Sequence, residues 1–200
     1  MPYRKRIAVL GSTGSIGMQT LDVARRHADK LEVVALAAGT RVRELAAQAQ
    51  EFGVRHAALG DDRLRNGSAV TELCEQVACE RGGSVGLGAD AVARLAQLPE
   101  VDVVVNALVG AAGLRASMEA LLAGKVLALA NKESLVVGGD LIMPLAARED
   151  ARRREEGAAP SHGPAGALMP IDSEHGAIFQ CLVGEQRSRV HAIWLTCSGG

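Results

Sequence analysis

Short, mainly apolar runs recur along the first 130 residues of the chain, and each is bounded by glycine or polar residues. They lie at 7–10, 31–38, 54–59, 101–108 and 126–130. Such runs are typical of strands that are buried on both faces of a parallel sheet. The segments between them predict helices at 16–27, 42–52, 89–98 and 114–123. This alternation predicts an α/β fold, a doubly wound, Rossmann-like parallel sheet with ligands at the carboxyl ends of its strands.

The pattern changes at 148–166, where mixed charges are followed by glycine and proline residues. This composition predicts a frayed helix end and a linker, and the mixing of opposite charges disfavours a binding tail. Apolar spacing then resumes and predicts a strand at 167–171, a helix at 177–183 and a strand at 190–196. We therefore expect a Rossmann-like domain at 1–150, a linker at 151–166 and the beginning of an incomplete α+β domain at 167–200.

Composition and charge narrow the classes of function. The chain of 200 residues has 22 Lys and Arg against 23 Asp and Glu, and 2% of its residues are aromatic. This balance and the few rings disfavour a polyanion-binding surface, so we expect no nucleic-acid partner. The apolar run after the basic N-terminus is too short for a signal peptide, and no run is long enough to span a membrane, so we expect no membrane partner. The four cysteines lack zinc-binding spacing, which indicates a cytoplasmic protein with reduced thiols.

The first predicted strand leads into Gly11, Gly14 and Gly17, which have the spacing G-x-x-G-x-x-G. Glycines at the start of a helix let the backbone approach a pyrophosphate, whose charge the helix N-terminus stabilises. A tight turn without a ligand would use the same residues, since the spacing departs from the commoner G-x-G-x-x-G. The position between the first strand and the first helix favours a dinucleotide.

The end of the second predicted strand indicates which dinucleotide binds. NAD sites usually have Asp or Glu about 20 residues after the glycines, whereas NADP sites have positive charge for the 2′-phosphate. The sequence at 37–41 is Ala-Ala-Gly-Thr-Arg, and Arg43 is close by. We therefore predict NADPH, with Arg41 as the main phosphate partner. The alternative is that both arginines belong to a solvated helix start.

Polar residues follow two later predicted strands. Asn131, Lys132 and Glu133 come directly after 126–130, where Asn131 can cap a helix and Lys132 can hold an anion or polarise a carbonyl. Asp172 and Glu174 come after 167–171 and can converge on a hard cation such as Mg²⁺ or Mn²⁺. Capping is the alternative for Asp172 as well. The sequence therefore predicts polar chemistry at this edge of the sheet and leaves its kind open.

Taken together, these segments resemble the 1-deoxy-D-xylulose 5-phosphate reductoisomerase family, whose members use NADPH and a divalent metal. The segments occur in the family's order over nearly the whole chain. The resemblance favours metal binding over capping for Asp172 and Glu174. The matching stretches are GSTGSIG at 11–17, ALVGAAGL at 107–114, LANKESLV at 129–136, PIDSEHGAIFQ at 170–180 and LTCSGG at 195–200.

The resemblance also implies roles for individual residues. The NADPH-binding residues would be Thr13, Gly14, Ser15, Ile16, Gly39, Thr40, Arg41, Asn131 and Glu133. The substrate-binding residues would be Lys132, Ser173, Glu174 and Ser198, with Lys132 and Glu174 as the catalytic ones. Asp172 and Glu174 would bind Mg²⁺, Mn²⁺ or Co²⁺.

The implied reaction begins with the rearrangement of a small phosphorylated sugar, 1-deoxy-D-xylulose 5-phosphate. NADPH-dependent reduction then gives 2-C-methyl-D-erythritol 4-phosphate, in the non-mevalonate route to isoprenoid precursors. The family also implies a homodimer for the full-length protein.

The chain departs from the family in length, because family members are about twice as long. The remaining half should contain a third metal carboxylate, most phosphate-binding residues, a lid loop and a helical domain. We therefore expect 1–200 to be an N-terminal fragment that holds the cofactor loop and does not turn over alone. Two alternatives remain, a nucleotide-binding module without catalysis and another NADP-dependent dehydrogenase that shares only the first domain.

Overall fold

A seven-stranded sheet forms the centre of the computed structural model, which describes residues 3–157 and 166–196. Every pairing in the sheet is parallel, and the strand order is β4-β3-β2-β1-β5-β6-β7. The order reverses at β1, which lies between β2 and β5 and leaves a crevice at its carboxyl end. The strands are β1 (Lys5–Leu10), β2 (Leu31–Ala38), β3 (His56–Leu59), β4 (Ser84–Leu87), β5 (Val103–Asn106), β6 (Val126–Leu129) and β7 (Leu168–Pro170).

Helices cover both faces of the sheet. Alternate residues of β1 enter two separate cores, since Ala8 and Leu10 pack in one cluster whereas Ile7 and Val9 pack in the other. The first cluster receives residues from α4, α5 and α6, and the second from α1, α2 and α3. The helices are α1 (Ser15–Arg26), α2 (Val42–Phe52), α3 (Ser68–Arg81), α4 (Ala89–Leu95), α5 (Ala112–Leu122), α6 (Glu133–Glu155) and α7 (Ser173–Cys181).

The structure confirms the predicted doubly wound α/β fold. The second strand and the second helix have the predicted bounds, and the other predicted elements of the first 130 residues differ at their ends by a few residues. Two elements of this part of the chain, α3 and β4, were not predicted. Val70, Leu73 and Val77 of α3 are buried at helical spacing, so the pattern was present in the sequence. β4 is short and includes Gly86, which weakens the sequence signal for a strand.

Two predictions in the last third of the chain are wrong. The charge run at 148–155, predicted as a helix end, is the end of α6, where Glu149 and Arg152 pair. Helix α7 begins at Ser173 and not at 177, since the Asp172 side chain caps it. The segment 190–196 is not a strand, and among the described residues no strand pairs with it. A strand needs such a neighbour to satisfy its backbone hydrogen bonds.

β7 joins the chain after 166 to the same sheet. Leu168, Met169 and Pro170 are in register with the last three residues of β6. The boundary between a first and a second domain stays a prediction. None of the helices in the described part of the chain has the length and apolar character that crossing a membrane requires.

Candidate functional site

The predicted site residues gather at the carboxyl edge of the sheet. A cleft of about 550 Å³ opens there between the loops that follow β1, β2, β3 and β5. The loops that follow β6 and β7 continue along the same edge, because all seven strands are parallel. Among the residues that line the cleft are Gly11, Thr13, Gly14, Gly39, Thr40 and Leu108.

The loop after β1 requires glycine. Gly11 has a φ of +85°, and a Cβ atom there would lie 2.5 Å from the carbonyl oxygen of Ala107. A Cβ at Gly17 would collide with the carbonyl oxygen of Gly11. Both glycines therefore let α1 begin close against β1 and β5, the close approach that a dinucleotide loop needs.

The N-terminus of α1 is open to a ligand. Gly14 is its cap residue, no side chain caps it, and its first turn has no acidic residue. The first N–H groups of a helix lack partners within the helix, and the helix dipole favours an anion there. Ser15 and Ile16 belong to this first turn. The geometry therefore suits a phosphate or pyrophosphate group.

Side chains from α2 and from the residue before it hold the glycine loop in place. Ser12 is fully buried and donates its Oγ hydrogen to Gln48 Oε1 at 2.7 Å, and Gln48 Nε2 donates to the Ser12 carbonyl at 3.1 Å. Arg41 donates from Nη1 to the carbonyl oxygen of Thr13 at 2.9 Å. The structure thus brings Arg41 next to the glycine loop. Its positive charge lies where an anionic dinucleotide would pass.

Three predicted site residues lie in the loop after β6, and they differ in their exposure to solvent. Asn131 is 1% exposed, and its Nδ2 donates to the carbonyl oxygens of Leu108 and Gly110 at 2.8 and 2.9 Å. It also donates to Glu133 Oε2 at 3.1 Å. The Asn131 side chain therefore organises this loop, and a contact between Asn131 and a cofactor stays a prediction. Lys132 and Glu133 are exposed.

Sequence reasoning missed Asn106 and Gly113, which support this loop. Asn106 is fully buried at the end of β5, and its Nδ2 donates to the Gly113 carbonyl and to Ser117 Oγ, each at 2.8 Å. A Cβ at Gly113 would lie 2.5 Å from Asn131 Oδ1. An Asn within an otherwise apolar strand was the signal that could have identified this site.

The turn after β7 brings the acidic residues to the same edge. Asp172 accepts from the backbone N–H of His175 at 2.9 Å, and its carboxylate also lies 2.9 Å from His175 Nδ1. Glu174 Oε2 accepts from Ser173 Oγ at 2.8 Å and lies 3.5 Å from Lys132 Nζ. The structure therefore brings Lys132 and Glu174 together across the loops after β6 and β7.

The environment of Glu174 favours its ionised form. The hydrogen bond from Ser173 lowers the pKa of Glu174, with smaller contributions from its own backbone and from Lys132. An ionised carboxylate is the form that binds a cation.

Asp172 and Glu174 offer oxygen donors that suit Mg²⁺ or Mn²⁺. Capping and metal binding are compatible for Asp172, because a carboxylate oxygen can accept more than one partner. Within 3–157 and 166–196 no three His, Cys, Asp or Glu residues form a group that could hold a metal ion. The binding of a cation by Asp172 and Glu174 therefore stays a prediction. Ser198, the remaining predicted residue, lies outside the described residues.

Comparisons with known proteins agree with this arrangement. The family model described as 1-deoxy-D-xylulose 5-phosphate reductoisomerase matches residues 7–139, and the model of its C-terminal domain matches residues 168–200. The protein named 1-deoxy-D-xylulose 5-phosphate reductoisomerase from Heliobacterium modesticaldum is 46% identical over 201 residues, covering 98% of this chain and 45% of that protein.

Two solved structures are also similar. The Zymomonas mobilis enzyme in complex with NADPH has a TM-score of 0.70 and is 38% identical, over 90% of this chain and 41% of that one. A DOX-P reductoisomerase with NADPH, fosmidomycin and magnesium has a TM-score of 0.72 and is 35% identical, over 88% of this chain and 38% of that one. The chain spans less than half the length of these relatives. Because the first of the two family models matches more than half of the chain, the chain belongs to the 1-deoxy-D-xylulose 5-phosphate reductoisomerase family.

Proposed function

We propose that this chain supplies the NADPH site, and part of the metal and substrate site, of a reductoisomerase. The enzyme would rearrange 1-deoxy-D-xylulose 5-phosphate and reduce the product to 2-C-methyl-D-erythritol 4-phosphate, for isoprenoid precursor synthesis. One observation carries the proposal. The open N-terminus of α1 and the Lys132–Glu174 pair lie at the same edge of one parallel sheet.

The dinucleotide would lie across the cleft at the end of β1. The pyrophosphate would contact the backbone of Thr13 and Gly14 and the first turn of α1 at Ser15 and Ile16, where the free N–H groups stabilise its charge. The adenosine ribose phosphate would lie at the end of β2, against Gly39, Thr40 and Arg41. No acidic residue occurs at 37–41, which supports NADPH over NADH.

The loop after β6 would lie between the nucleotide and the substrate. Glu133 would contact the cofactor, and the buried Asn131 would hold the loop beside it. Lys132 would bind the substrate, because its ammonium group is exposed and next to Glu174. Ser173 and Ser198 would add hydroxyl contacts to the phosphorylated sugar.

When bound, NADPH supplies the reducing equivalent, and the divalent cation supplies Lewis-acid stabilisation of oxygen charge. Asp172 and Glu174 would hold that cation with carboxylate oxygens. Lys132 would hold an anionic oxygen of the substrate and would move from Glu174 as the cation binds. Glu174 and Lys132 are in this sense the catalytic pair of the chain.

The relatives are about twice as long as this chain, so we propose that 1–200 binds NADPH but does not turn over substrate near the full-length rate. We place the full-length enzyme in the cytoplasm as a homodimer. Its partners would be small molecules, without nucleic acid or membrane.

The test is a titration of 1–200 with NADPH, followed by fluorescence of the reduced nicotinamide, with and without Mn²⁺. We expect saturable binding to the wild type and weaker Mn²⁺ binding in Asp172→Asn. Nucleotide binding in which neither Mn²⁺ nor the substitution has any effect would support the nucleotide-binding module instead. Metal-free reduction of another carbonyl compound would support the dehydrogenase alternative.

A further inference from the structure

The loop after β3 borders the same cleft as the glycine loop. Gly60 donates its backbone N–H to the carbonyl oxygen of Ala38 at 2.8 Å, and Asp61 donates to that of Gly39 at 3.4 Å. Asp61 and Arg63 then line the cleft beside the end of β2. The loop after β3 is therefore attached to the place where the adenosine ribose phosphate would lie.

Asp61 and Arg63 form a closely hydrogen-bonded pair. The carboxylate of Asp61 accepts from Arg63 Nε at 2.9 Å, from Nη2 at 2.8 Å and from its backbone N–H at 3.0 Å. The Asp61 side chain is 16% exposed, whereas that of Arg63 is 86% exposed. The Asp61 contacts use two of the five N–H donors of the guanidinium group. The rest of this cation faces outward at the cleft.

The charges of the pair and of its neighbour Asp62 affect whether a 2′-phosphate can bind at this end of the cleft. Asp61 and Asp62 both line the cleft, and the bonds from Arg63 lower the pKa of Asp61, which keeps it ionised. Two carboxylates at this end would repel a 2′-phosphate. Arg41, the predicted phosphate partner, already donates one N–H to the Thr13 carbonyl. A dianionic phosphate commonly takes charge-assisted bonds from more than one donor group, and arginine provides them in a planar fork.

We propose that Arg63 is a second specificity-determining residue for the nucleotide, which binds the 2′-phosphate together with Arg41 while Asp61 holds its guanidinium group at the cleft. The inference rests on the proposed function and deepens it. It assigns the preference for a phosphorylated ribose to two loops, those after β2 and β3. Neither arginine alone would then account for the full preference.

The experiment compares dissociation constants for NADPH and NADH in the 200-residue chain. Arg63→Ala is expected to weaken NADPH binding about tenfold and to change NADH binding by less than about twofold. Arg65→Ala is the matched control, because Arg63 and Arg65 lie on the same short 3-10 helix (Asp62–Asn66) and Arg65 is exposed. It removes the same charge and is expected to change both constants by less than about twofold. Arg63→Lys, which keeps the charge, is expected to fall between the wild type and Arg63→Ala.

Three results would overturn the inference. An unchanged ratio of the two constants in Arg63→Ala would show that Arg63 does not contact the 2′-phosphate. Equal weakening of NADPH and NADH would assign Arg63 to a part that both nucleotides share. An effect of Arg65→Ala as large as that of Arg63→Ala would indicate general charge attraction. If the folded wild type binds neither nucleotide, the proposed function itself fails, which separates the two failures. Circular dichroism checks that each variant is folded.

Discussion

The glycine loop after β1 and the acidic turn after β7 lie at the same edge of the sheet but differ in how firmly the protein holds them. Ser12 and Thr13 of the glycine loop are 0% and 7% exposed, and β1 pairs with strands on both sides. Lys132 and Glu174 have side chains 52% and 43% exposed, and β7 is the last strand of the sheet. The difference indicates that contacts within the described residues already organise the glycine loop. The acidic turn and the neighbouring Lys132 are exposed at the edge of the sheet.

The largest expected effect comes from Gly11→Ala at the firmly held end. The new Cβ would meet the Ala107 carbonyl, and alanine disfavours a φ of +85°, so we expect a loss of about 2–4 kcal/mol in the free energy of unfolding. NADPH binding should be lost as well. Urea denaturation and a nucleotide titration measure the two effects.

Gly39→Ala is the control for stability, because a Cβ there meets nothing within 4 Å. An equal loss of stability in both variants would contradict the argument from close approach.

The next effect comes from the Asn131 amide, which joins the loops after β5 and β6. Asn131→Ala removes the donor to the carbonyls of Leu108 and Gly110, and we expect a loss of about 1–3 kcal/mol. Lys132→Ala next to it should cost less than about 0.5 kcal/mol, since its ion pair is exposed. Thermal unfolding of the two variants gives the comparison. Equal losses in both would mean that the buried amide does not hold the loop.

Acid should destabilise the protein partly through Glu149, a buried residue of α6 that lies close to Gly124 in the turn between α5 and β6. Hydrogen bonds from Arg152 and then Arg153, opposed by burial, lower the pKa of Glu149. A lowered pKa in the folded state stabilises the protein above the pKa of the unfolded chain, about 4.3. This stabilisation is lost as the pH falls from there through the folded pKa.

Glu149→Gln should therefore cost about 2 kcal/mol at neutral pH and less at the acid end of that range. Glu155→Gln is the control, because Glu155 is an exposed residue of the same helix. Urea denaturation at pH 7 and pH 3 measures both. A Glu149→Gln cost that is the same at both pH values would overturn the assignment.

The smallest expected change in stability comes from substitutions at Asp172, which distinguish helix capping from metal binding. Asn caps a helix about as well as Asp, so Asp172→Asn should leave stability nearly unchanged, whereas Asp172→Ala should cost about 1 kcal/mol. Both substitutions should weaken Mn²⁺ binding, which isothermal titration calorimetry measures. Metal binding that survives in Asp172→Asn would leave capping as the function of this residue.

The predictable parts of the fold are the strands that are buried on both faces and the helices whose apolar residues recur at regular spacing. β2 and α2 had their bounds predicted from apolar runs alone. α6 was not predicted beyond its charged end, because Gly138, Gly139 and Pro144 interrupt the helical signal. Gly138 kinks the helix and lies against Leu114, a long-range contact that sequence periodicity does not encode.

The candidate site likewise has residues that could be predicted from the local sequence and residues that could not. The glycine loop follows from local rules for a strand, a turn and a helix, so its residues could be named from spacing. Asn106 and Gly113 act through contacts with Asn131, which the chain brings together only in three dimensions. Lys132 likewise lies close to Glu174 because β6 and β7 are neighbouring strands. The order of the strands in the sheet was not predicted from the sequence.

Hydrogen–deuterium exchange of the 200-residue chain with and without NADPH tests most directly whether the nucleotide binds at the carboxyl edge of the sheet. We expect slower exchange on adding NADPH at 11–17, at 39–41 and at 131–134, with little change in α3. Slower exchange that is confined to segments away from the carboxyl ends of β1, β2 and β6 would contradict it.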